Sequence, residues 1–254
     1  AAIKPILQKL SAETEDIATY TPNPFFKSEY SGSKNLANND TLYLIDGGIG
    51  GEIIPLNSLA NIHRKPDVIF AFDSSRDTKG GWPNGTALVN TYERQFADQG
   101  NATVFPYVPS AQNFLRQNLT AKPVFFGCEA KNLTGLVKND VTPPILVYVA
   151  SRPFLSYTNT STYKLEYSES EKLAMIQNSI EVVSRLNGTL DSDWDKCVGC
   201  AMIRRQQERD GVQPSDTCQK CFDTYCWDGT VLPNDPHYVS PDNFDLEGLV
   251  AGLM

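Results

Sequence analysis

Between residues 41 and 151 the chain runs in short apolar bursts separated by polar, turn-forming stretches. "TLYLID" (41–46), "DVIFAFD" (67–73), "ATVFP" (102–106), "PVFFG" (123–127) and "PILVYVAS" (144–151) are five to eight residues long and rich in β-branched and aromatic side chains. That length and content predict strands. Several lack polar alternation, the pattern of a strand covered on both faces. Helical spacing appears in "ALVNTYERQFAD" (87–98), in 168–188 and in 193–210. In "SESEKLAMIQNSIEVVSRLNG", Ser168 and Glu171 carry a capping-box signature and Gly188 closes the pattern. Leu173, Ile176, Ile180 and Val183 follow one another at 3-4-3 spacing, so they line one face. The first 18 residues are amphipathic and predict a helix, and the turn-forming stretch 21–40 predicts a long surface loop. Strands alternating with helices predict an α/β core containing parallel strands. No repeat or linker divides the chain. The Cys-rich stretch from about 190 to 254 reads as a separately stapled helical tail.

Composition narrows the classes. With 254 residues, 41% of them hydrophobic, the chain can bury a substantial core. No run of 18 apolar residues occurs, so no membrane-spanning helix is predicted. A formal net charge of −8 argues against a general nucleic-acid binder, which would carry a basic stripe. Asn-X-Ser/Thr sequons stand at Asn39, Asn84, Asn101, Asn118, Asn132, Asn159 and Asn187. Chance placement of this chain's Asn, Ser and Thr gives about 2.5. The excess points to a secreted glycoprotein with each modified Asn at the surface. "AAIKPILQKLSAETED" has no apolar signal-peptide core, so a secreted chain beginning this way implies processing.

The cysteines are Cys128, Cys197, Cys200, Cys218, Cys221 and Cys226, the middle four in C-x2-C-x17-C-x2-C order. That spacing fits a zinc ribbon, and a zinc-stabilised binding module is one reading. The sequons imply an oxidising compartment, where thiols are consumed as disulfides. "WDKCVGCAMIRRQQERDG" also has helical rather than knuckle spacing. Disulfides are therefore favoured. Six cysteines allow fifteen connectivities, among which sequence does not choose, and a bond from Cys128 to a partner chain stays open.

One acid stands out. In "LIDGGIGGE" (44–52), Asp46 follows an apolar run and precedes Gly47 and Gly48. If 41–45 is a buried strand, Asp46 sits at its carboxyl end, the edge where open α/β sheets bind ligands. The bland reading is a turn. The glycines do not complete a phosphate-binding G-x-G-x-x-G, and look like geometry for the acid. An Asp can act as general base for a nucleophile within reach. Yet no G-x-S-x-G elbow occurs, Ser31 and Ser33 lie in a polar loop, and His63 and His237 sit in surface-like contexts. The chain offers an acid without its nucleophile. Asp73 and Asp77 read as loop-shaping acids, Trp82, Tyr92, Arg94, Trp194 and Trp227 as packing residues, and "IRRQQER" as a solvated helix face.

Together, "LIDGG…IPL", "KPDVIFAFDSS", "WPNGTALVNTYERQF", "FFGCEAKN", "YSESE", "CVGCAMIRRQQERDG" and "CQKCFDTYCWDGT" resemble the fungal phospholipase B/lysophospholipase family. The resemblance runs in family order from about 42 to 230. It implies an α/β fold, part of a patatin- and cytosolic-phospholipase-like catalytic core with a disulfide-stapled C-terminal region. It also implies a Ser-Asp dyad, with the family's D-G-G falling on Asp46, Gly47 and Gly48. The nucleophilic serine, the oxyanion-hole loop and a head-group arginine lie upstream in the family. Residues 1–254 are thus expected to be the C-terminal portion of one catalytic domain, with an N-terminal fragment of the same precursor as partner. The implied substrates are lysophospholipids, with diacyl phospholipids as a second class, at a lipid–water interface, with no cofactor or metal and tolerance of acidic pH. A secreted glycoprotein that keeps the fold without a working dyad is the alternative.

Overall fold

The computed structural model describes residues 18–29, 34–97 and 100–233. The helix expected over the first 18 residues, Ser31, Ser33 and His237 therefore fall outside the described residues, apart from Ala18 itself. The chain divides into two compact units, residues 1–53 and 54–254.

In the first unit β1 (Thr19–Tyr20) pairs antiparallel with β2 (Leu42–Tyr43). The expected loop 21–40 contains a short helix, α1 (Lys34–Asn38). Buried Asn23 braces it: its Nδ2 donates to the carbonyls of Leu36 and Asn39, both at 2.7 Å, while its Oδ1 accepts from Phe25 N–H at 2.9 Å.

The second unit is built on a three-stranded sheet of β3 (Val68–Asp73), β4 (Val124–Phe126) and β5 (Ile145–Ala150), in the order β3-β5-β4. The pair β3/β5 is parallel, in register from Val68 opposite Ile145 to Asp73 opposite Ala150, and β4 lies antiparallel to β5. Every residue of β5 is buried, which explains its unbroken apolar run. Against one face lie α2 (Leu56–Leu59), α3 (Thr86–Arg94) and α4 (Ala111–Arg116), bringing Leu56, Leu88, Tyr92 and Phe114 onto Ile69, Phe126 and Tyr148. Against the other lie α5 (Glu169–Ser184), α6 (Trp194–Arg209) and α7 (Asp216–Tyr225), bringing Val182, Trp194 and Phe222 onto Phe125, Val147 and Val149. The result is a three-layer α/β arrangement with the core split by the sheet. Burying side chains of this size contributes about 1.5–3 kcal/mol each.

The Cys-rich segment is part of this packing. Disulfides join Cys197 to Cys221 and Cys200 to Cys218, which clasp α6 to α7, and Cys128 to Cys226, which ties the segment to the end of β4. The four C-x2-C sulfurs a zinc ion would need are engaged in these bonds. The bridge at Phe125 and Cys226, with Trp227 N–H donating to the Phe125 carbonyl at 2.9 Å, covers the outer edge of β4. The stretch 190–233 thus shares the sheet's core instead of hanging apart from it.

Two further sequence expectations are corrected. "ATVFP" is irregular, joined to the rest through an isolated bridge between Asn61 and Thr103. The charge run on α6 is not a solvated face, since Arg204 and Arg205 are buried. Arg205 donates to the carbonyls of Pro143 at 3.0 Å, Cys128 at 3.4 Å and Gly127, and pairs with Glu208 at 2.7 Å. Arg204 pairs with Glu129 at 2.8 Å, and Arg209 grips both oxygens of Asp67 at 2.6 Å. These fork-shaped donors satisfy a carbonyl-rich loop that has no sheet partner. In α5 the capping box forms as the sequence predicts, and Leu173, Ile176, Ile180 and Val183 line one face, which points outward.

Candidate active site

Asp46 lies three residues beyond β2, in a succession of tight turns. Its carbonyl accepts from Ile49 N–H at 3.1 Å, and the Gly47 and Gly48 carbonyls accept from Glu52 N–H at 2.8 Å and Gly51 N–H at 3.2 Å. The side chain turns back on this loop, Oδ1 accepting from Gly48 N–H at 2.7 Å. A Cβ on Gly48 would stand 2.9 Å from that same Oδ1, closer than packed atoms tolerate, so the carboxylate's position depends on a residue without a side chain there. Among the described residues the Gly48 amide is the carboxylate's hydrogen-bond partner. The residue is exposed in this unit.

The surroundings differ from the expected buried strand. Only Leu42 and Tyr43 are in ladder geometry, and their partner is the antiparallel β1. Leu44 and Ile45 are 48% and 59% exposed, since a two-stranded ribbon cannot cover both faces of an apolar run. What remains is a carboxylate oriented by a glycine turn.

The other acids are occupied. Asp73, 1% exposed at the end of β3, accepts from Tyr148 hydroxyl at 2.8 Å and from Ser75 N–H at 2.9 Å. Asp77 accepts from Ser75 hydroxyl at 2.7 Å and Asn84 N–H at 3.2 Å. Both hold the 73–86 loop together. Burial first, then the charge and hydrogen bond of Asp73, push the Tyr148 hydroxyl well above its usual range, so it stays a donor. The sequence reading passed over Tyr148; a lone hydroxyl within an otherwise aliphatic strand was the available signal.

The aromatic residues anchor the packing. Trp194 Nε1 donates to the Val183 carbonyl at 2.7 Å, Trp227 lies 5.7 Å from the Phe126 ring, and Tyr92 meets Phe96 edge-on at 5.3 Å. His63 is exposed in a turn. Of the sequon residues, Asn39, Asn101, Asn118, Asn132 and Asn187 are exposed, while Asn84 and Asn159 are half-buried. Among the described residues no helix is long and apolar enough to cross a membrane.

A mixed sheet between helical layers, clasped by three disulfides, defines an α/β protein. The match to the model of the lysophospholipase catalytic domain over residues 1–232 shows that the chain belongs to the lysophospholipase family. It is 53% identical to lysophospholipase 2 of Candida albicans over 236 residues, 93% of this chain and 38% of that protein. It is 49% identical to lysophospholipase 1 of Candida albicans over 234 residues, 92% of this chain and 38% of that protein. Against lysophospholipase 1 of Saccharomyces cerevisiae the identity is 42% over 241 residues, 94% of this chain and 36% of that protein. The chain thus spans under two fifths of the length of these relatives. No solved structure matches it.

Proposed function

We propose that this chain is the Asp-bearing part of a secreted lysophospholipase of the phospholipase B type, with Asp46 as the general base of a Ser-Asp dyad. The observation that carries the reading is the Asp46 carboxylate held by Gly48 N–H at 2.7 Å, within the D-G-G of a chain belonging to this family. The serine and the oxyanion-hole amides belong to the N-terminal part of the same precursor, which stays folded with this chain after processing.

The chemistry is two acyl transfers. Asp46 accepts the serine proton as the serine oxygen attacks the ester carbonyl of a lysophospholipid, or of a diacyl phospholipid. Backbone N–H groups stabilise the oxyanion, and the glycerol oxygen leaves with a proton as the acyl-enzyme forms. Water, deprotonated by the same carboxylate, then releases the fatty acid. A carboxylate base holds its charge to lower pH than an imidazole, so activity extends into acid. The exposed sequon residues carry N-glycans, as suits a secreted enzyme stapled by disulfides.

The test is Asp46→Asn in the complete polypeptide, assayed for fatty-acid release from lysophosphatidylcholine. Loss of a general base predicts a fall in kcat of about 10²–10⁴-fold with the fold intact. Near wild-type hydrolysis would remove Asp46 from the mechanism. A wild-type protein with no hydrolysis at all would favour the non-catalytic glycoprotein.

A further inference from the structure

Helix α5 docks the wrong way round for its composition. Its buried contacts are Val182 and a polar residue, Asn178. The Asn178 side chain accepts from the N–H groups of Phe154 and Leu155 at 2.9 Å and Ser156 at 3.2 Å, and donates to the Arg152 carbonyl at 2.8 Å. At 3.6 residues per turn, Leu173, Ile176, Ile180 and Val183 lie on the opposite side. They are 57%, 57%, 53% and 38% exposed. Ile176, Ile180 and Val183, with Met175, Ser179 and Ser184, line a groove of about 660 Å³ whose every lining residue belongs to α5, so the groove has one wall. Its lower end continues past Val183 to the half-exposed Phe72 at the end of β3. β3 is also the sheet's outer strand on that side. A contiguous apolar surface of this kind marks a contact site.

We infer that this face of α5, with Phe72 beside it, is the seam against which the remaining part of the lysophospholipase catalytic domain packs. The inference rests on the proposed precursor and names where its other part docks. Two observations select that occupant. The chain accounts for 38% of the length of its Candida relatives, so in such a protein most of the polypeptide lies outside these residues. The helix's charges also disfavour a lipid surface: Glu169, Glu171 and Glu181 face one Lys172, and α5 carries no aromatic residue. An interfacial helix carries basic residues on its polar face and aromatic residues on its apolar one.

The test places a reporter thiol at the seam, Ile176→Cys, in the complete polypeptide, with the parent polypeptide labelled alongside as the blank; the six cysteines of residues 1–254 are paired. Maleimide labelling of the native protein is compared with the same variant in denaturant without reductant. Packing against protein predicts at least about tenfold slower labelling in the native state, unchanged by lysophosphatidylcholine micelles. Equal rates in both states would overturn the inference. So would free labelling that micelles suppress, which would make the face a lipid contact, or protection that disappears on dilution, which would make it a contact between copies. Protection at position 176 alongside full activity of Asp46→Asn would keep the seam and remove only the dyad.

Discussion

The Tyr148 hydroxyl donates to Asp73 Oδ2 at 2.8 Å, joining the central strand of the sheet to its parallel neighbour through a fully buried bond. Asp73 also caps the turn that follows β3 by accepting from Ser75 N–H. One acid therefore ties a strand pair to the loop that begins where the strands end. Tyr148→Phe leaves a buried carboxylate short of a donor. The expected loss is about 1.5–3 kcal/mol, the range for hydrogen bonds to charged groups. Urea unfolding of the complete polypeptide measures it, and an unchanged midpoint would show that the bond contributes nothing.

The turn around Asp46 gives a second expectation. Gly48→Ala sets a methyl 2.9 Å from Asp46 Oδ1, so the carboxylate must move. Displacing a reacting group by about 1 Å costs up to about 10²-fold in rate. Steady-state kinetics should show kcat falling while KM holds. A variant with full kcat would mean that the turn does not position the acid.

The disulfides should differ in worth. Cys128–Cys226 closes a loop of 98 residues, whereas Cys200–Cys218 closes one of 18. On the chain-entropy account the long loop contributes about 4.7 kcal/mol and the short one about 3 kcal/mol. Paired Cys→Ala variants compared by denaturant unfolding should rank in that order. The reverse order would mean that the clasp between α6 and α7 carries more than loop closure.

Two surface acids contribute to the pH dependence of stability. The hydrogen bond from Lys164, with those from the Ser168 N–H and hydroxyl, lowers Glu171 from 4.5 to about 2. Asp67 is lowered chiefly by its hydrogen bond with Arg209. Both groups hold a proton less readily folded than unfolded. Their stabilisation is therefore complete above the unfolded values and is lost as pH falls toward the folded ones. The melting temperature should hold steady from neutrality to about pH 5 and decline below it. Glu171→Gln and Asp67→Asn should flatten that decline, as thermal unfolding against pH will show. Rising stability between pH 4 and 2 would contradict the assignment.

Local physics made much of this protein readable in advance. The apolar runs 67–73, 123–127 and 144–151 became strands because a short β-branched or aromatic run has few other ways to bury itself. The capping box at Ser168 and Glu171 formed because both partners lie within one helical turn. The helical spacing around Cys197 and Cys200 favoured disulfides over a zinc knuckle, and all six cysteines are paired. Distance along the chain explains what was not readable. Which cysteine meets which, and that β4 enters antiparallel beside β5, depend on closures between residues tens of positions apart. Arg204 and Arg205 looked solvated because their partners, Glu129 and the carbonyls of Gly127, Cys128 and Pro143, lie about 60 to 80 positions away. The apolar row of α5 announced a need for burial without naming its neighbour. Hydrophobicity has no direction; only the fold revealed that Asn178 faces the sheet side and the row faces out.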